Sequence, residues 1–255
     1  MVIPLGDRNP TRRRPWVTWL LIAVNVGVFA FVQPWAAEEC AQRDFFLEYG
    51  AIPAELVQGA PLDASEVAQV SPPQCALTPV ADKPVYAAAL YSLFLHGGWL
   101  HLLFNMLYLG VFGNNVEDRL GHLPYAAFYL GCGALATAAF VMPNADSAVS
   151  LVGASGAIAG VLGAYLVMFP RVRVTVTVPI LLFLILRLPA GLVLLMWFVG
   201  QLLPLGQPMG SGGVAYLAHV AGFVAGMVIV LALGHRPQRR RRRRSRSGLP
   251  EDPPR

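Results

Sequence analysis

Residues 172–203 read VRVTVTVPILLFLILRLPAGLVLLMWFVGQLL, and the number of membrane spans turns on them. A helical span needs about 20 apolar residues, with a floor near 17. The stretch is too long for one such helix and too short for two with a loop between them. Val174–Val178 is strand-like, Pro179 interrupts it, and Ile180–Leu186 is apolar before Arg187. Assigning Val172–Arg187 to an interfacial segment leaves a single span, Pro189–Leu203. Working outward, the other apolar runs are Trp16–Gln33, Trp99–Gly113, Leu123–Met142, Ser155–Phe169 and Gly213–Leu233. That makes six. Val85–Leu95 reads as a helix or re-entrant piece at the surface, set off from Trp99 by Gly97-Gly98.

Charge placement tests the count. Lys and Arg concentrate in the cytoplasmic loops of membrane proteins. Arg8 and Arg12–Arg14 precede the first span, Arg119 follows the second, and Arg171, Arg173 and Arg187 follow the fourth. The tail carries Arg236, Arg239–Arg244, Arg246 and Arg255. With six spans these segments share one side, and only Arg43 and Lys83 fall on the other, among nine acids. Seven spans would move the tail across. The net charge of +5 is therefore the sum of a basic cytoplasmic side and an acidic outer one.

The expected architecture is an all-α polytopic membrane protein, a six-helix transmembrane bundle with both termini cytoplasmic. Residues 1–15 form a basic N-terminus, residues 16–234 the six-span domain and residues 235–255 a disordered Arg-rich tail. Residues 34–84 form a long extracytoplasmic first loop. Composition agrees: 56% of the chain is hydrophobic and 13% charged, and mean hydropathy is +0.56. Soluble domains carry about 25% charged residues. A soluble enzyme, a disordered protein and a nucleic-acid binder are excluded. Met1–Arg14 followed by Trp16–Val32 resembles a signal peptide, but no A-x-A site follows, so it reads as an uncleaved span.

Polar side chains inside lipid are functional candidates by default. His101 and Asn105 are four residues apart and share a helical face. They serve either as interhelical glue or as hydrogen-bond donors to a ligand, and His96 reads as structural. Ser155 opens the fourth span between Gly153 and Gly156. It is either a helix cap or a nucleophile with space cleared around it. His219 is the strongly polar side chain inside the sixth span, with Gly222 and Gly226 marking a close-packing face. A lone membrane histidine is glue, relay or ligand; beside a glycine-flanked serine it becomes a candidate general base. No H-E-x-x-H occurs and the assigned spans hold no carboxylate, so neither a metal site nor a proton-coupled transporter is supported. No internal repeat supports a transporter either.

Taken in order, His101-x-x-x-Asn105, Gly153-x-Ser155-Gly156 and Ala218-His219-x-x-Gly222-x-x-x-Gly226 resemble the rhomboid intramembrane serine proteases. Val116-Glu117-Asp118-Arg119-Leu120-Gly121 is similar to that family's loop after the second span. The resemblance implies an endopeptidase with a Ser155–His219 dyad. His101, Asn105 and the Ser155 N–H would form the oxyanion hole. His96, Gly153, Gly156, Gly222 and Gly226 would be structural, and Glu117 and Arg119 would brace the second and third spans. It implies transmembrane protein substrates, cleaved near their outer ends, and no metal or other cofactor. The alternative is a non-catalytic rhomboid-like protein that binds clients.

Two positions depart from the family. Ala159 stands where some members have a tyrosine beside the catalytic histidine, so something else must orient His219. The first loop lacks the Trp-Arg pair that some members carry. The fifth span, with Trp197, Phe198 and Gln201, is the candidate lateral gate. Cys40 and Cys75 share the outer loop and are a possible disulfide. The Arg-rich tail is a topology determinant or an anionic-lipid contact. The expected location is multi-pass in a bacterial plasma membrane.

Overall fold

A computed structural model describes residues 3–177, 184–204 and 215–235. The Arg-rich tail from Arg236 onward lies outside them, as do Val178–Phe183 and Gly213-Val214 of the apolar runs.

The molecule is built around α9, Ser155–Met168. It is apolar on every side, and every residue from Gly156 to Tyr165 is buried. A helix without a polar face belongs in the core. Helices α8 (His122–Val141) and α11 (Tyr216–Ala232) pack along it. Gly/Ala content makes that approach close. A Cβ on Gly226 would overlap the Gly160 carbonyl oxygen, and one on Gly222 would overlap that of Gly156. Small residues bring membrane helices to this distance, where dispersion supplies the attraction that lipid cannot.

Helices α1 (Trp16–Phe31) and α10 (Ala190–Leu202) lie at the periphery. They expose Leu20, Val24 and Phe31, and Leu192, Leu195, Met196 and Val199. Exposed apolar rows of this size suit a lipid solvent. By length and composition one helix among the described residues, His122–Asn144, is sufficient to cross a bilayer alone. A second candidate is the pair Val85–Phe94 and Trp99–Leu120, bent by 77°. The shorter apolar helices among the described residues are α1, α9, α10 and α11.

The expectation of an all-α chain needs correction. Three strands, β1 (Ile3–Asp7), β2 (Arg173–Thr177) and β3 (Ile185–Pro189), form an antiparallel sheet in the order β1-β2-β3. Ile3 pairs with Thr177, and Thr175 with Arg187. Val174 and Val176 alternate inward and are buried, which drives the pairing. The basic N-terminus is thereby tied to the segment between α9 and α10. Asp7 accepts hydrogen bonds from Tyr165 and, at 2.8 Å, from Asn115 Nδ2. Burial raises the Asp7 carboxyl above its ordinary value of 3.8, and the Tyr165 hydrogen bond opposes that.

The second run also differs. After α5 (Val85–Tyr91), α6 (Trp99–Tyr108) continues through a π-helical turn at Leu109–Gly113 into α7 (Asn114–Leu120). The helix therefore runs on past Gly113 to Leu120 and carries a charge into the core. Glu117 is 1% exposed. Its carboxylate accepts from Val17 N at 2.9 Å, Thr18 N at 2.8 Å and Thr18 Oγ1 at 2.6 Å, and faces His122 Nδ1 at 2.6 Å. An acid at the first turn of α1 satisfies orphan amides and meets the positive end of the helix dipole. Glu117 thus braces the first helix as well as the start of α8. Arg119 is exposed in the last turn of α7.

Residues 34–84 are not an irregular loop. They form α2 (Glu39–Tyr49), α3 (Pro53–Gln58) and α4 (Ala64–Val70) around a small core of Leu47, Ile52, Leu62 and Val67. A Cys40–Cys75 disulfide closes this unit, with Cα atoms 5.3 Å apart. Lys83 is buried, pairs with Glu55 at 2.5 Å and donates to Leu47 O and Gly50 O. Burial holds its ammonium below the usual range, against the pull of Glu55. The unit docks on the segment before α9. Ala51 and Leu151 exchange backbone hydrogen bonds, and Ser150 Oγ donates to Phe46 O at 2.9 Å.

Candidate active site

A cavity of about 640 Å³ opens beside the first turn of α9. Ser155, His219, His101, Asn105, Gly153 and Gln201 line it. Five of these six belong to the motifs read from the sequence. They arrive from four elements: α6, the segment before α9, α9 itself and α11, with α10 adding Gln201.

Ser155 is the first residue of α9, and the residue in the cap position is Ala154, which makes no side-chain cap. The Ser155 hydroxyl is therefore available for other work. Its Oγ lies 2.7 Å from His219 Nε2. The pair spans 64 residues and bridges α9 to α11. The small-residue packing of these helices is what brings the side chains to hydrogen-bond distance. Gly156, Gly222 and Gly226 belong to that packing.

Gly153 precedes the serine with φ +128°, a conformation that side chains resist. A Cβ there would sit 2.7 Å from His101 Cε1 and 2.8 Å from His101 Nε2. Glycine thus lets the His101 ring edge lie against the segment entering α9. Gly153 N donates to Ser92 O at 2.8 Å, holding that segment in place.

His101 Nδ1 accepts from Gly97 N at 3.3 Å. In a neutral ring this places the proton on Nε2, facing Gly153. Asn105 is buried, and its Nδ2 has no partner among the described residues. A buried unpaired donor costs about 1–3 kcal/mol, so an acceptor is owed at that position. His96 is fully buried, with its ring 5.0 Å from that of His101. The loop carrying it is clamped by Gln33, whose Oε1 accepts from His96 N at 3.0 Å while its Nε2 donates to His96 O.

At Ala159 no ring is present to orient His219. The Ala159 Cβ packs into the α9–α11 contact, leaving no space for a ring. Instead Trp197 lies 6.0 Å and Tyr216 6.4 Å from the imidazole, centroid to centroid. Gln201 Oε1 lies 2.7 Å from His219 Nδ1. Gln201 was legible only as a polar residue of the candidate gate. Nothing in a lone glutamine 18 residues from a histidine signals the contact.

Among the described residues no group of three His, Cys, Asp or Glu is placed to hold a metal ion.

A family model, the Rhomboid domain, matches residues 85–236, more than half of the chain. RHOMBOID-like protein 5 of Arabidopsis thaliana is 26% identical over 241 residues, covering 88% of this chain and 70% of that protein. RHOMBOID-like protein 7 of the same plant is 28% identical over 173 residues, 63% of this chain and 52% of that protein. These are plant proteins, and they lend no support to the bacterial location expected from the sequence. The match begins at Val85, so α1 and the disulfide-closed unit of α2–α4 precede it.

Proposed function

The chain belongs to the rhomboid family and is an integral membrane protein, and from that premise we propose that it is an intramembrane serine endopeptidase. The observation that carries this reading is the 2.7 Å contact between Ser155 Oγ and His219 Nε2 inside a cavity. A hydroxyl and an imidazole at that distance are the minimum equipment for nucleophilic acyl transfer.

In the proposed reaction the Oγ–H proton passes to His219 Nε2 as Oγ adds to a substrate peptide carbonyl. The carbonyl oxygen takes the negative charge. Asn105 Nδ2, His101 Nε2–H and the Ser155 N–H are the donors that would receive it, and the unpaired Asn105 amide fits such a role. The start of α9 adds the positive end of its dipole. His219 then gives its proton to the leaving amine nitrogen. A water repeats the cycle on the acyl-enzyme, regenerating Ser155. In soluble serine proteases one oxyanion donor is worth about 10²–10³ in kcat. Here such donors matter more, because among the described residues no carboxylate lines the cavity.

The reading includes a six-span topology, with α1, α6–α7, α8, α9, α10 and α11 as the spans and both termini cytoplasmic. The sheet supports it: β1 from the N-terminus pairs with β2 after α9, so the basic segments before α1 and after α9 share one end. Ser155 stands at the other end of α9, where the outer unit docks through Leu151. The substrate would be a transmembrane helix, entering the cavity from the bilayer.

The test is cleavage of a model transmembrane substrate by the purified protein in liposomes. The wild type should cut it, and Ser155→Ala and His219→Ala should each abolish cutting. Cleavage that persists in Ser155→Ala overturns the mechanism. Binding of the substrate without cleavage by the wild type would favour a client-binding rhomboid-like protein.

A further inference from the structure

A general base without a carboxylate partner has an unsolved problem. Neutral imidazole has two tautomers, and only the one with its proton on Nδ1 presents a lone pair from Nε2 to the serine. In the serine proteases with a triad, a buried aspartate selects that tautomer and the ring angle. Among the described residues no Asp or Glu lines this cavity, and Ala159 supplies no ring.

We infer that Gln201 is the positioning residue for His219, an inference that rests on the dyad proposed above. Gln201 Oε1 lies 2.7 Å from His219 Nδ1, on the side of the ring opposite Ser155. Its amide orientation is supported independently. Nε2 donates to Trp197 O, one turn earlier in α10, at 3.4 Å, which turns the carbonyl oxygen toward the imidazole. An oxygen there can only accept, so it selects the tautomer with the proton on Nδ1. The lone pair of Nε2 then faces Ser155 Oγ. When His219 takes the serine proton, the same oxygen stabilises the imidazolium through Nδ1–H, though less than a carboxylate would.

The position of Gln201 gives this tie a second meaning. Gln201 stands in the last turn of α10, whose first turn is fastened by Ala190 N to Val172 O at 2.7 Å and Gly191 N to Pro170 O at 2.9 Å. Trp197 and Phe198 pack on Phe223 of α11 from the same helix. The base is thus oriented by the peripheral helix, and only while the end of α10 carrying Gln201 is seated against α11.

The experiment uses the full-length protein in liposomes with the model transmembrane substrate, plus fluorophosphonate labelling of Ser155. Gln201→Leu and Gln201→Met keep the bulk but remove the acceptor. Gln201→Glu keeps an acceptor oxygen in either protonation state. Losing the acceptor should lower kcat and the labelling rate about 10- to 100-fold with KM little changed, short of the ~10⁴-fold seen where an aspartate is replaced so that the wrong tautomer is enforced. Gln201→Glu should restore most of that rate. Equal losses in all three variants, a change in KM alone, or no change overturns the inference and leaves the dyad standing, provided the wild type cleaves. A wild type that neither cleaves nor labels overturns the dyad and this inference together.

Discussion

Glu117→Ala probes how the first helix is held to the rest of the molecule. The carboxylate is buried and accepts three hydrogen bonds from α1: Val17 N at 2.9 Å, Thr18 N at 2.8 Å and Thr18 Oγ1 at 2.6 Å. Alanine removes every one of these acceptors and leaves the donors facing a void. Hydrogen bonds to a charged group are worth about 1.5–3 kcal/mol each, and breaking a buried charged arrangement from one side costs about 3–5 kcal/mol. The Val17 bond is only part-buried, so we take the lower half of that range. At about 2–4 °C per kcal/mol for a chain of this size, the melting temperature should fall by roughly 6–16 °C. Glu117→Gln keeps one acceptor oxygen but turns the other into a donor facing N–H groups, so it should lose about half as much or more. The assay is thermal unfolding of purified protein in detergent. A Glu117→Ala melting temperature within about 2 °C of wild type, or a glutamine variant as stable as wild type, would refute the reasoning.

Other expectations follow from the same physics. Gly226→Ala drives a Cβ into the Gly160 carbonyl oxygen and should destabilise by about 1–3 kcal/mol, whereas Gly27→Ala, with open space around it, should be neutral or stabilising; thermal unfolding of the two separates close packing from helix propensity. Breaking Cys40–Cys75 opens a loop with a sequence separation of 35, worth about 3–4 kcal/mol in chain entropy, so limited proteolysis within residues 34–84 should speed up on reduction; an unchanged rate contradicts the role given to the bond. Because the Asp7 carboxyl is raised in the fold, the folded state binds its proton more tightly than the unfolded chain does. Stability should therefore decline as pH rises through 3.8 to the folded value and level off above it, and Asp7→Asn should remove that slope in unfolding curves recorded across the acid range.

Much of this molecule is legible in its apolar runs. The run Ser155–Phe169 ends one residue from the helix Ser155–Met168, and Pro189–Leu203 brackets Ala190–Leu202, because nothing but a helix satisfies backbone groups along such stretches. The misreadings have a common origin in polar groups satisfied at long range. Asn114-Asn115 and Glu117-Asp118 look like a loop, yet Glu117 is held by amides about 100 residues away, and the helix continues through them. Strand β1 carries Pro4 and Gly6, both poor strand formers, and is held by pairing with β2 across some 170 residues. Helices α2–α4 are short and mostly polar, so they have no apolar period to read, and their order comes from the disulfide, the Lys83–Glu55 pair and four buried side chains.

At the candidate site, what local sequence could carry was visible. Glycines around Ser155 and the four-residue spacing of His101 and Asn105 are local signals. The Gln201–His219 contact is not, since it depends on how α10 leans on α11. Gly97–His101 is local in sequence, yet the protonation it sets on the His101 ring emerges only with the bend that brings Gly97 N to Nδ1.

The most direct measurement is mass-spectrometric mapping of a fluorophosphonate adduct on the intact protein in membranes. An activated serine is what the Ser155–His219 contact would produce, and it can be tested without knowing the natural substrate. The account predicts one adduct, on Ser155, that is lost in His219→Ala. An unlabelled Ser155, or one that labels equally well in His219→Ala, would contradict it.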